Sequence, residues 1–306
     1  MLNGLLTIAD INEKIMSDMF ALAARLKRER GKTDYRPLQG KTVGMIFAKS
    51  STRTRVSFEV GIHELGGFAM YLEQGKMQVG RGESMADTAR VLGRYLHGVV
   101  IRTYDHQDVV DLARYSNVPV INALTDSFHP CQALTDIFTM QEHSGRLRGL
   151  KLAYVGDGCC NMANSLMLAA KLSGIELVIA SPGEYRPNQE IFNRKFGTGK
   201  VSWEEDPIKA VRNADYVYTD VWVSMGCEDE TEQRLKLLSP YQVNDKLLQA
   251  ASPEVKILHC LPAHRGEEIT DSVMDSPRSI VFDQAENRLH VQKAILAMIF
   301  DRELKL

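Results

Sequence analysis

Short runs rich in β-branched residues alternate with stretches of helical spacing along this chain, and that alternation leaves few topologies open. Parallel strands need a crossover between them, usually a helix, so the pattern predicts an α/β protein with parallel sheets flanked by helices. The predicted strands are residues 42–47, 68–72, 99–102 and 118–122, then 152–155, 177–180, 216–219, 257–260 and 280–282. A first helix is predicted over 11–30, because Ile11, Ile15, Met19, Leu22 and Leu26 recur at helical spacing and Gly31 stops them. Further helices are expected over 132–141 and 286–304.

With 306 residues, two domains are expected. A polar, glycine-containing connector at His143-Ser144-Gly145-Arg146-Leu147-Arg148-Gly149 divides them into residues 1–142 and 143–285, with 286–306 rejoining the first. A formal net charge of −2 offers no global field for nucleic acid or an acidic membrane, so any anion site must be local. Apolar runs stay shorter than the roughly 18 residues of a membrane span. The start lacks the features of a signal peptide, and five scattered cysteines suit a reducing compartment. The expected location is the cytoplasm.

Ligands of open α/β sheets bind outside the carboxyl ends of the strands, and the unusual polar clusters fall there. The first strand runs into Ser50-Ser51-Thr52-Arg53-Thr54-Arg55 and then a helical stretch. Ser50 or Ser51 can cap that helix, and a helix N-terminus with two arginines attracts phosphate. The alternative is a plain capping box with solvated arginines. Arg102 ends another strand, either solvated or turned to the same site. His129-Pro130-Cys131-Gln132 places an imidazole and an amide at a helix start, with Pro130 suited to the first position; His129 can also be purely structural. Asp220 precedes Val221-Trp222-Val223-Ser224-Met225-Gly226 and can bind an amine or cap a turn. Cys260, within His259-Cys260-Leu261-Pro262, is either a core thiol or a site residue.

Paired zinc spacing is absent. Gly156-Asp157-Gly158 starts like a dinucleotide fingerprint, but Asn161 stands where the third glycine belongs. A Walker lysine and a nucleophile elbow are also missing.

Taken in order and spacing, Ser50–Arg55, His129–Gln132, the Asp220–Gly226 stretch and His259–Ala263 resemble the ornithine carbamoyltransferases over essentially the whole chain. The resemblance implies two α/β domains, a carbamoyl phosphate-binding one (1–142 with 286–306) and an ornithine-binding one (143–285). The active site would lie in the cleft between them, and the assembly would be a trimer or a multiple of one. By the family pattern, Ser51, Thr52, Arg53 and Thr54 hold phosphate. Arg102 and His129 hold phosphate and carbonyl oxygens, and Gln132 holds the carbamoyl nitrogen. Gln78 matches a residue that reaches carbamoyl phosphate from a neighbouring subunit, and Arg288 another contact with it. Asn161, Asp220, Ser224 and Met225 match the ornithine set, and Cys260 and Leu261 the reacting centre. Arg102, His129, Asp220 and Cys260 carry the catalytic roles. One departure is the pair Cys159-Cys160, where family members often carry Arg-Asn or Asn-Asn, which leaves the support of the Asn161 loop open.

The implied reaction joins the δ-amine of ornithine to the carbonyl of carbamoyl phosphate, releasing citrulline and phosphate. Such a donor is already activated and calls for no metal or organic cofactor. Competing expectations are transfer to putrescine, N-acetylornithine or aspartate, or a non-catalytic binding subunit on the same fold. Nucleic acid is disfavoured because the basic residues form no extended stripe.

Overall fold

The computed structural model describes residues 2–49, 51–223, 228–301 and 303–304. These divide into two compact units, Met1–Leu134 with Arg288–Leu306, and Thr135–Asn287. The strands are β1 (Thr42–Phe47), β2 (Phe68–Glu73), β3 (Gly98–Arg102), β4 (Val120–Leu124), β5 (Lys151–Val155), β6 (Glu176–Ala180), β7 (Lys200–Glu204), β8 (Tyr216–Thr219) and β9 (Lys256–His259). The helices are α1 (Glu13–Arg28), α2 (Thr52–Glu64), α3 (Met85–Leu92), α4 (His106–Tyr115), α5 (Pro130–Ser144) and α6 (Asn161–Ser173). They continue as α7 (Gln189–Asn193), α8 (Pro207–Val211), α9 (Thr231–Leu238), α10 (Asp245–Leu248), α11 (Asp271–Met274) and α12 (Val281–Phe300).

The first unit holds a sheet in the order β2-β1-β3-β4 and the second a sheet in the order β7-β6-β5-β8-β9. All paired strands run parallel. Central strands of such sheets are covered on both faces, which is why they read as continuous apolar runs: β8 is buried along its length, and β1 from Val43 onward. In the first sheet the strand order reverses between β1 and β3, and in the second between β5 and β8. The loops after these four strands therefore diverge, leaving a crevice at each switch point.

α1 begins at Asn12, whose side chain accepts from Ile15 N at 2.9 Å, and buries Met16, Met19, Phe20, Leu22, Ala23 and Leu26. Three expectations need correction. Residues 280–282 are not a strand. Ile280 donates one backbone bond to Ile257 O, but its carbonyl accepts from Gln284 N and helix α12 starts at Val281. Three apolar residues fit a strand or the first turn of a helix equally well. β4 begins at Val120 rather than 118, because Pro119 has no N–H to give the ladder. β7 was not anticipated: it is an edge strand paired only with β6, and its sequence Lys-Val-Ser-Trp-Glu carries no apolar run.

Among the described residues no helix is long and apolar enough to cross a membrane.

Candidate active site

In the first unit, β1 and β3 pair in register, with Phe47 opposite Arg102, and Ala48 N donates to Arg102 O at 2.9 Å. The loop entering α2 and the end of β3 are thus side by side at the switch point. Ser51 occupies the cap position of α2 in an extended conformation, but its side chain makes no capping bond, and Ser50 lies outside the described residues. The capping-box reading fails here, and the Ser51 hydroxyl does not consume the first-turn N–H groups that favour an anion.

The two arginines of this stretch separate by role. Arg55 donates from Nε to Glu59 Oε1 at 3.0 Å and lies 3.9 Å over the Tyr71 ring. Among the described residues Arg53 has no carboxylate partner and is exposed beside Thr52. Thr54, the next residue, is buried, and its Oγ1 lies 2.6 Å from the donating Nη2 of buried Arg288. His129 and Gln132 are also buried, with Pro130 as the first residue of α5. Burial pushes the His129 pKa well below its usual value, and the adjacent Arg288 and Arg102 guanidiniums push it further down. The imidazole is therefore neutral at neutral pH. Thr54, Arg102, His129 and Arg288 form one buried to half-buried cationic group at the start of two helices. Gln78 stands apart: its side chain is exposed and hydrogen-bonds nothing among the described residues.

In the second unit, Asp220 follows β8 and Cys260 follows β9, and these strands are neighbours. Asp220 Oδ1 accepts from Cys260 Sγ at 2.8 Å and from Val221 N at 2.8 Å. Burial raises the Asp220 pKa, and burial followed by the nearby carboxylate raises that of Cys260 well above a normal thiol. Cys260 is thus a protonated donor to a carboxylate. Leu261 takes a left-handed backbone conformation (φ 58°). Its N–H donates to His259 Nδ1 at 2.9 Å, which leaves the ring proton on Nε2, 3.0 Å from Glu268 Oε1. Asp220, His259 and Cys260 lie close enough to suggest a metal site that linear spacing could not reveal. Both His259 nitrogens are already engaged, however, so the imidazole is not a free ligand.

Asn161 is the first residue of α6, and Cys160 caps the helix, its Sγ accepting from Ala163 N at 3.4 Å. Asp157 Oδ1 accepts from both Cys159 N (2.9 Å) and Cys159 Sγ (3.1 Å). The two cysteines therefore supply their own support for the Asn161 loop. Gly158 approaches so closely that a Cβ would meet Ser181 Oγ and Tyr185 O, each at 2.6 Å. Ser224 and Met225 lie outside the described residues.

Two supporting groups escaped sequence reasoning. Arg234, buried on α9, donates to Asp157 Oδ2 at 2.7 Å, Glu230 Oε2 at 2.9 Å and Trp222 O at 3.2 Å. It ties the loop after β5 to both sides of residues 224–227; the acidic residues before it form a 3₁₀ turn at Glu228–Glu230. Only the Glu230–Arg234 spacing hinted at this. Glu268, fully buried, accepts on Oε1 from His259 Nε2 and from His264 N at 2.6 Å, clasping both ends of the Cys260–Ala263 turn. Glu268→Ala is expected to lose about 1–3 kcal/mol of stability through unpaired buried donors. It should also raise KM for the ligand bound at Cys260, with no change for the ligand of the first unit. Thermal melts and steady-state kinetics check both.

Chemically, one cluster is cationic, rich in N–H donors and suited to phosphate, while the other offers a buried carboxylate and a thiol suited to an ammonium. That division defines a class of enzyme joining a phosphorylated donor to an amine acceptor. Comparison with known proteins narrows the class. Residues 3–142 match the family described as "Aspartate/ornithine carbamoyltransferase, carbamoyl-P binding domain", and residues 148–299 match its "Asp/Orn binding domain". The chain belongs to the aspartate/ornithine carbamoyltransferase family. It is 54% identical over 296 residues to the ornithine carbamoyltransferase of Methanoculleus marisnigri, covering 96% of each chain. It is 53% identical over 270 residues to the "Ornithine carbamoyltransferase, anabolic" of Pyrococcus furiosus, covering 87% of this chain and 85% of that one. The solved ornithine carbamoyltransferase structure from Pyrococcus furiosus superimposes with a TM-score of 0.93 at 48% identity, covering 99% of this chain and 98% of that one.

Proposed function

We propose that this protein transfers the carbamoyl group of carbamoyl phosphate to the δ-amine of L-ornithine, giving L-citrulline and phosphate, in the direction of arginine synthesis. The observation that carries the acceptor is the buried Asp220–Cys260 pair, an anionic acceptor beside a thiol donor with no cationic side chain in contact among the described residues. It suits an α-ammonium group and argues against aspartate, whose second carboxylate would need cations. The relatives' names and the two family domains support the same reading.

In this mechanism Ser51, Thr52, Arg53, Thr54 and Arg288 hold the phosphate, with Gln78 added from a neighbouring copy in a trimer. Arg102 and neutral His129 stabilise the oxyanion that forms on the carbonyl, and Gln132 holds the carbamoyl nitrogen. Asp220 and Cys260 orient the α-amino group, assisted by Asn161, Ser224 and Met225, and Leu261 lies at the reacting carbon. The amine attacks, the tetrahedral intermediate collapses, and the C–O bond to phosphate breaks. The departing phosphate takes the proton, so no separate base is required. We place the enzyme in the cytoplasm; its composition and its sparse free cysteines support that reading.

The testing experiment is colorimetric detection of ureido product from carbamoyl phosphate with ornithine, putrescine, N-acetylornithine and aspartate offered separately. Strong activity with ornithine alone is expected; product with another amine instead overturns the acceptor assignment.

Two further outcomes follow from the site. Arg53→Gly should weaken carbamoyl phosphate binding by roughly 1.5–3 kcal/mol, the range of a hydrogen bond to a charged group, read from KM or direct titration. Because Arg55 is held by Glu59 and Tyr71, it should not compensate for the lost Arg53. The pH dependence is set by the amine: at a lysine-like pKa of about 10.4, neutralising it at pH 7 costs roughly 4.6 kcal/mol. kcat/KM for ornithine should rise from pH 6 to 9. His129, already neutral, should add no break near its usual titration range. A flat profile argues against rate-limiting amine attack.

A further inference from the structure

The turns that leave α3 and α4 lie at the opposite end of the first sheet from Arg102 and His129. There they form an open cavity of about 420 Å³ lined by Arg90, Arg94, Arg114, Tyr115, Ser116 and Asn117. We propose that this cavity is a second anion site, separate from the candidate active site, and that it takes a diphosphate group.

Its floor is built rather than incidental. Gly93, which also lines it, packs so tightly on the next turn that a Cβ would run into the Ser116 carbonyl, and Asn117 takes a left-handed conformation (φ 58°). Any larger residue at position 93 would push the two turns apart. Two guanidiniums lie against the Tyr115 ring, Arg90 at 4.8 Å and Arg114 at 5.3 Å from its centroid. Cation–π contact restricts both side chains, so less freedom is lost when a ligand binds.

The charge is unbalanced. Only Arg90 has a carboxylate partner, Asp87 at 2.7 Å; among the described residues Arg94 and Arg114 have none. Three guanidiniums with one carboxylate leave a local excess of two positive charges in a chain whose net charge is −2. Cations near helix C-termini complement the helix dipole, but that role needs no cavity and no convergence of three arginines. Planar forked donors match phosphate oxygens two at a time. A diphosphate balances the excess charge better than a single phosphate and fits the volume. The ligand can be inorganic diphosphate or the diphosphate of a nucleotide.

The test is calorimetric titration with inorganic pyrophosphate on an Arg53→Ala background, which weakens the candidate phosphate cradle. About one equivalent per chain is expected to bind. Adding Arg94→Ala and Arg114→Ala should weaken that binding at least tenfold. A control pair of exposed residues, Arg28→Ala with Lys32→Ala, removes the same charge and should not. ADP that competes with pyrophosphate assigns the site to nucleotides; ADP that fails to compete assigns it to the inorganic ion. Without the Arg53 change, Arg94→Ala/Arg114→Ala should keep wild-type ureido formation and melting temperature. The proposal is overturned if pyrophosphate shows no saturable binding on the Arg53→Ala protein, if the control pair weakens binding equally, or if Arg94→Ala/Arg114→Ala loses turnover.

Discussion

Asp220→Asn should lower kcat/KM for ornithine by about thirtyfold to several thousandfold, the range implied by roughly 2–5 kcal/mol for removing one partner of a buried charged hydrogen bond. Carbamoyl phosphate affinity should change little, because the proposed ligands of its phosphate belong to the other unit. The physical cause is specific to this carboxylate. Burial raises the pKa of Asp220, and two donors, Cys260 Sγ and Val221 N, already point at Oδ1. An arriving ammonium favours the ionised form and lowers that pKa again. Asparagine fills the same space but offers no charge, and its NH₂ group can face the Cys260 thiol or the ammonium, both donors. Steady-state kinetics with each substrate varied in turn would show it. An unchanged ornithine KM and kcat would remove Asp220 from the acceptor site.

Arg102→Ala should cost kcat about two to three orders of magnitude, the effect of losing one oxyanion donor at about 2.7–4 kcal/mol. Arg102 stands at the end of β3 next to the loop entering α2, and its charge is one of the two that hold His129 neutral. Its loss would remove a donor and relax the depressed His129 pKa, though burial, the larger cause, would still keep the imidazole neutral near pH 7. The measurable signature is therefore a fall in kcat without a new titration near neutrality. A loss confined to KM would reassign Arg102 to ground-state binding of phosphate.

Much of this was legible in the chain itself. The central strands are apolar runs because both of their faces are covered, so β1, β3, β5, β6 and β8 stand out in the sequence within a residue or so, and edge strand β9 joins them because it too is buried from Ile257 onward. Edge strand β7 does not, since one side of its ladder is unpaired among the described residues and none of its residues is fully buried. Residues at strand ends, such as Arg53, Arg102, His129, Asp220 and Cys260, were recognisable because polar groups interrupt apolar runs there. Their supports were not. Glu268 and Arg234 each look like one more charged residue among many, and nothing local distinguishes them from a solvated face.

The sequence alone determined the fold class, the order of most elements and the list of candidate chemical groups. These depend on local spacing and on which residues avoid water. Only the tertiary structure decided which groups cooperate. It held Arg55 to Glu59 and Tyr71 while leaving Arg53 without a carboxylate partner among the described residues, set Cys260 against Asp220, and neutralised His129 between burial and two arginines. Those outcomes depend on through-space distance and desolvation between residues far apart in the chain, which no linear pattern encodes.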